Sequence, residues 1–369
     1  MLFRGAILIQ FDPPGIQRAD FRVEEGRFAE VGGTIAPRLG EPIHRLKGAY
    51  VLPGFVLVRY SADCPANSSR HLATALNSPD SLDTIKESTF LAAREAALFG
   101  VTTIANVLFE RDDPGSPDAP ERGARDWLDA FCAAQKSAGL RGILANADEN
   151  SAECALPLRP AASLSAEEIE SSARAGCRFV LCFPEDALHS RQRSSAAAGA
   201  KTCASSSAET RAATFFNLLD SGAPLLFGSK GQMPPDVPGM VQLLYYMDSA
   251  SETPQRLLRP IAEAARFASR SLGISLGRIE PGAAADFLIA EREYRPTPPG
   301  PRFPARPRRE SLQEDLPSEP PGNSQDKSLD ESPEAVLRIL LQWEPRRIRE
   351  VWVDSRPVVL EGRLIRARP

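Results

Sequence analysis

Four times between Ser88 and Phe227, a segment with helical spacing runs into a glycine and then into an apolar run. Ser88 to Phe99 stops at Gly100, before Val101 to Leu108. Arg125 to Ala138 sets Trp127, Leu128, Phe131 and Cys132 on one face and stops at Gly139, before Leu140 to Ala145. Ser165 to Ala175 opens on a capping box, Ser165-Ala-Glu-Glu168, and Gly176 separates it from Cys177 to Phe183. Thr214 to Asp220 ends at Gly222, before Pro224 to Phe227. Helix, glycine, buried strand is the grammar of parallel βα units, since parallel neighbours need a long crossover between them. Val241 to Met247 and Gln255 to Leu272 add two more helices.

Both ends of the chain read differently. Ala6 to Gln10 is apolar, Asp20 to Val31 alternates around a Glu25-Gly26 turn, and Val51 to Val58 is an apolar run broken by Pro53-Gly54. Asp286 to Ala290 reads as a strand, Glu334 to Gln342 as a helix, and Ile348 to Val353 with Arg356 to Ile365 as a hairpin. Between them, Glu291 to Pro333 holds ten of the 33 prolines and hardly any aliphatic residue. Such a stretch cannot bury enough surface to offset its ordering entropy, so 292–333 is expected to be a disordered insertion. The expected plan is a small composite β-sandwich domain, 1–50 and 281–369, enclosing an α/β region, 51–280. That region shows five strands in about 220 residues, whereas a TIM-like (β/α) barrel of eight takes about 250. Either strands hide in the weak stretches Asn150 to Ser163 and Arg191 to Arg211, or the barrel is incomplete.

Composition narrows the function classes. With 44 basic and 48 acidic residues the net charge is −4, which argues against nucleic acid as a partner. No apolar run reaches the roughly 18 residues of a membrane span. Met1 to Phe11 is too short for a secretory signal. The six cysteines show no Cys-x-x-Cys spacing, so they read as reduced thiols in a cytoplasmic protein. Only three histidines, His44, His71 and His189, are present, which leaves little room for a cluster of imidazoles.

Several segments then point to one family. Val51-Leu-Pro-Gly-Phe55 resembles the start of the barrel in the amidohydrolase superfamily, as does Phe21 to Gly32 before it. Leu272 to Ile289, with Glu280-Pro-Gly-Ala-Ala-Ala-Asp286, resembles the segment that leaves that barrel. Arg349 to Leu364 resembles the final hairpin. The nearest branch is the cytosine deaminase, chlorohydrolase and imidazolonepropionase group. The resemblance implies a His-x-His at the end of the first barrel strand and a metal-binding Asp at the end of the last. Here those positions fall on Arg59, Ser61 and Lys230. His44, His71 and His189 do not fall at strand ends.

Arg59 is cationic at any working pH and has no lone pair to give. Protonated Lys230 repels a dication, and Ser61 is a weak ligand beside imidazole and carboxylate. Without a metal, no water is brought to a useful pKa. The reading is therefore a metal-free, catalytically degenerate homologue that binds or scaffolds, with no cofactor. Zinc, iron or nickel held stoichiometrically would overturn it. The alternative is a hydrolase of carbon–nitrogen bonds with a site rebuilt around Arg59, Ser61, His189 and Lys230. Arg59 and Lys230 either pair with carboxylates such as Asp63, Asp148, Glu185 or Asp186, or form a pocket for a small anion. A homodimer is what the resemblance suggests, and a protein partner is the other option. Cys182 with His189 reads as a buried thiol and an exposed histidine rather than a catalytic pair. The C-terminal arginines Arg346, Arg347, Arg349, Arg356, Arg363, Arg366 and Arg368 read most simply as a solvated face, with an acidic partner as the weaker alternative.

Overall fold

The Glu25-Gly26 turn expected from the sequence takes left-handed backbone angles, φ 48° and 78°, and folds β2 (Pro14–Glu24) back on β3 (Arg27–Gly32). The computed structural model describes residues 1–62, 79–107, 121–145, 158–160, 178–182, 225–231, 236–247, 254–292 and 330–365. The expected elements Ser165 to Ala175 and Thr214 to Asp220, the stretch Arg191 to Arg211 and most of the Pro-rich insertion lie outside these residues.

Strands from both chain ends make one sheet. It contains β1 (Leu2–Phe11), β2, β3, β4 (Ile43–Arg45) and β5 (Tyr50–Pro53) from the start of the chain. The rest are β12 (Phe287–Ala290), β13 (Ile348–Val353), β14 (Arg356–Leu360) and β15 (Arg363–Leu364). The order is β15-β14-β13-β12-β5-β1-β2-β3, with β4 beside β1. The sheet curls back on itself. Phe28 on β3 exchanges backbone hydrogen bonds with Gly282 and Ala283, just ahead of β12, at 2.8 and 2.9 Å. The curl is driven by aromatic burial. Phe3, Phe21, Phe28, Phe287 and Trp352 come from five strands and meet in one cluster, with Phe28 and Phe287 centroids 5.7 Å apart.

The second sheet is parallel. Its strands are β6 (Phe55–Ala62), β7 (Val101–Val107), β8 (Arg141–Ala145), β9 (Leu158–Pro160), β10 (Arg178–Cys182) and β11 (Leu225–Gly231). The order is β8-β7-β6-β11-β10-β9. The apolar run from Val51 to Val58 is thus two strands in two different sheets, separated only by Gly54. A side chain there has no room, since a Cβ on Gly54 would lie 2.2 Å from Thr102. β9 is a strand from the weak stretch Asn150 to Ser163. Among the described residues the sheet has six strands and its outer strands, β8 and β9, do not pair with each other. A closed barrel is therefore not shown.

Among the described residues, five α-helices accompany the sheets: α1 (Pro79–Leu98), α2 (Glu121–Ser137), α3 (Val237–Met247), α4 (Pro254–Leu272) and α5 (Pro333–Leu341). Gly100 follows α1 with φ +81°, and its missing Cβ leaves space for Leu288 and Phe55. Strand alternation shows that helices cover both faces of the parallel sheet. Ala105 packs in a cluster with Val56, Val58, Ile143 and Leu226 and with Ala264, Phe267 and Ala268 of α4. Its neighbour Asn106 faces the other way. Asn106 and Gln135 of α2 exchange two amide hydrogen bonds, both 2.9 Å. Among the described residues no helix is long and apolar enough to cross a membrane.

One ion pair ties the two sheets together. Arg141 at the start of β8 donates from Nε and a terminal nitrogen to both carboxylate oxygens of Asp286, at 2.6 and 3.0 Å, and reaches Asp354 at 3.2 Å. Burial works against the Arg141 cation. The hydrogen bonds and charge of Asp286, and then Asp354, outweigh it and raise its pKa above the ordinary value.

Arg347 corrects the expectation of a solvated arginine face. It is only 7% exposed and donates to the backbone carbonyls of Glu291, Gln342 and Arg292. The rings of Tyr50 and Trp343 cover its guanidinium at 5.8 and 5.9 Å.

Candidate functional site

β6 begins with an apolar stretch, Phe55-Val-Leu-Val58, and turns polar at Arg59. β11 begins with Leu225-Leu-Phe227 and turns polar at Ser229. The apolar halves are buried in the sheet, with Phe55, Leu57, Val58, Leu226 and Phe227 wholly enclosed. The polar halves form the carboxyl ends of two neighbouring parallel strands. In parallel α/β sheets those ends are where ligands bind, because the loops beyond them are free to vary.

The strand register brings Ser61 and Lys230 together. β6 and β11 are directly hydrogen-bonded, and the Cα partners are Val58 with Gly228, Ser61 with Lys230, and Ala62 with Gly231. From Val58 to Ser61 the chain takes three steps, while from Gly228 to Lys230 it takes two. Arg59 and Tyr60 therefore share a bulge opposite Ser229. Bulges break the alternation and re-aim side chains, and they concentrate near active sites. A bulge has no signature in the apolar pattern, so sequence reasoning placed Arg59 and Ser61 on a regular strand.

The remaining sequence candidates are dispersed. His44 on β4 contacts Glu350 of β13, Nε2 to Oε1 3.0 Å. The other oxygen of Glu350 accepts from the Trp352 indole at 2.8 Å, so His44 serves the terminal sheet. His71 and His189 lie outside the described residues, as do Asp63, Asp148, Glu185 and Asp186. Cys182 is the last residue of β10. Among the described residues no three His, Cys, Asp or Glu side chains converge to hold a metal ion.

Two ionisable groups elsewhere are strongly perturbed. Burial pushes the Cys132 thiol up to about 11, only partly offset by the Asn106 amide at 3.5 Å. The hydrogen bond from Arg22, followed by the Arg38 backbone N–H, holds Glu41 at about 2.

No family model and no curated protein matches the sequence. Solved structures do. The crystal structure of an amidohydrolase is 16% identical, with 98% of this chain and 99% of that chain covered and a TM-score of 0.55. Atrazine chlorohydrolase from Arthrobacter aurescens TC1, complexed with zinc, is 16% identical over 100% of this chain and 97% of that one, with TM-score 0.55. A prolidase complexed with N-methylphosphonate-L-proline is 12% identical over 98% and 99%, with TM-score 0.56. The structural neighbours are amidohydrolase-superfamily enzymes. At these identities the likeness shows the fold alone.

The zinc in that chlorohydrolase prompts a test of the donors here. Of the residues at the paired ends of β6 and β11, Arg59 has no lone pair, Lys230 in its common charge state repels a cation, and Ser61 is a poor ligand. These residues do not fit a divalent metal.

Proposed function

We propose that this chain is a degenerate member of the amidohydrolase superfamily that works without a metal, by binding rather than by metal hydrolysis. The observation carrying this reading is the register pairing of Ser61 with Lys230, with Arg59 in the adjoining bulge. By resemblance, Arg59, Ser61 and Lys230 stand where metal ligands would be, and their chemistry suits an anion instead. A guanidinium and an ammonium at neighbouring strand ends make a pocket for a small carboxylate or phosphate compound. In this reading a TIM-like barrel spans 51–280, and 1–50 with 281–369 form the composite β-domain. We place the protein in the cytoplasm, as a homodimer or with a protein partner.

The metal content of the purified protein tests the reading directly, and calorimetric titration with inorganic phosphate and with a dicarboxylate tests the pocket. A metal-free protein that binds one such anion supports it. The alternative, a working hydrolase of carbon–nitrogen bonds rebuilt around Arg59, Ser61, His189 and Lys230, draws on the same pairing and gains support if turnover appears.

A further inference from the structure

We propose that the terminal sheet carries an anion site of its own, a cleft in which Lys47 and Arg292 hold a small organic phosphate. The cleft uses none of the residues at the ends of β6 and β11, so it stands or falls independently of them.

The cleft has a volume of about 730 Å³ and opens over β1 and β2. Small-molecule sites take roughly 300–1,000 Å³. The space comes from short side chains, since Gly5, Ala6, Ala19, Gly48 and Ala49 line it. Backbone hydrogen bonds between β1 and the turn at 46–49 fix this floor. The Leu46 N–H donates to the Arg4 carbonyl at 2.9 Å, the Gly48 N–H to Gly5 at 2.7 Å, and the Ile7 N–H to Ala49 at 2.9 Å. Gly5, Lys47 and Gly48 take left-handed backbone, φ 72°, 52° and 82°. Glycine suits that conformation better than a residue with a Cβ, yet position 47 carries a lysine.

The charges on the walls do not cancel one another. Two carboxylates border the cleft, Asp20 and Glu291, and both are engaged. Asp20 accepts from the Gly5 N–H at 2.8 Å, the Ile35 N–H at 3.1 Å and Arg4 Nε at 3.3 Å. Glu291 accepts from Arg349 at 2.7 Å. Arg4 and Arg349 stand outside the lining, so they neutralise these carboxylates without adding charge to the walls. Lys47 and Arg292 also border the cleft, and among the described residues neither side chain enters an ion pair.

A guanidinium and an ammonium on one cleft suit a phosphate dianion, the first as a planar fork and the second as a point charge. The glycine and alanine floor suits the carbon skeleton of a phosphate monoester. Such a monoester should therefore bind more tightly than inorganic phosphate.

The test acetylates the lysines of the full chain with sulfo-N-hydroxysuccinimide acetate and follows each site by peptide mass mapping. Phenyl phosphate at about ten times its dissociation constant should slow the modification of Lys47 roughly tenfold. Lys86, exposed on α1, should be modified at an unchanged rate. Inorganic phosphate should protect Lys47 only at higher concentration, and phenol should not protect it. Arg292→Ala keeps the backbone carbonyl that accepts from Arg347, and thermal melts check that it folds. In that variant phenyl phosphate should no longer protect Lys47. Modification of Lys47 at the same rate with and without phenyl phosphate overturns the site. Equal protection by phenol overturns it too, as does undiminished protection in folded Arg292→Ala.

Discussion

Lys230 is the register partner of Ser61 on the neighbouring parallel strand, and Arg59 sits in the bulge that precedes this pairing. If the strand ends hold a small anion, charge removal should weaken it in steps. Arg59→Ala and Lys230→Ala are each expected to raise the dissociation constant for phosphate or a dicarboxylate by roughly tenfold, equivalent to about 1.4 kcal/mol. Added salt should weaken wild type more than either variant. Isothermal titration at two ionic strengths measures both effects.

Arg141 and Asp286 join the parallel sheet to the terminal sheet through two hydrogen bonds. The Asp286 side chain is only 2% exposed. Asp286→Ala removes two charge-assisted hydrogen bonds and leaves the half-buried Arg141 with Asp354 alone, at 3.2 Å, so it is expected to cost about 2 kcal/mol. The double variant with Arg141→Ala should cost less than the sum of the single ones. Urea denaturation of the four proteins in the cycle measures the coupling.

Glu41 sets an acid limit on the N-terminal strands. Its pKa falls from the ordinary 4.5 to about 2, chiefly through the Arg22 hydrogen bond. A carboxylate depressed in the folded state binds fewer protons there than in the unfolded chain. Its contribution is therefore complete above 4.5 and disappears as pH falls toward about 2. Glu41→Gln should be less stable than wild type at neutral pH. The difference should shrink across that acid window, as followed by thermal melts at stepped pH.

Cys132 should behave as an inert thiol. With its pKa pushed up to about 11 by burial, little thiolate exists at pH 8. Iodoacetamide should modify it slowly in the native protein and rapidly in urea, as read by peptide mass mapping. Fast native modification would show that the Asn106–Gln135 region opens.

Much of the fold was legible in local chemistry. The Glu25-Gly26 turn and the Gly100 and Gly139 stops follow from residues suited to left-handed backbone, and all three sit where the pattern placed them. Nonlocal features were not legible. Nothing in Val51 to Val58 says that one glycine hands the chain from one sheet to another. α1 begins at Pro79 rather than Ser88, because its first turns carry too few apolar residues to show a period. Arg347 looks like its exposed neighbours in sequence, yet backbone carbonyls and two rings bury it. The pairing of Ser61 with Lys230 is a nonlocal register and leaves no mark in the residues around either one. The same holds for the bulge at Arg59.

The central claim is that the ends of β6 and β11 hold no catalytic metal. Elemental analysis of protein purified without chelators and dialysed exhaustively tests it most directly. The account predicts zinc, iron and nickel each well below one equivalent per chain, with an unchanged melting temperature after chelation. Near-stoichiometric metal that survives dialysis would contradict it.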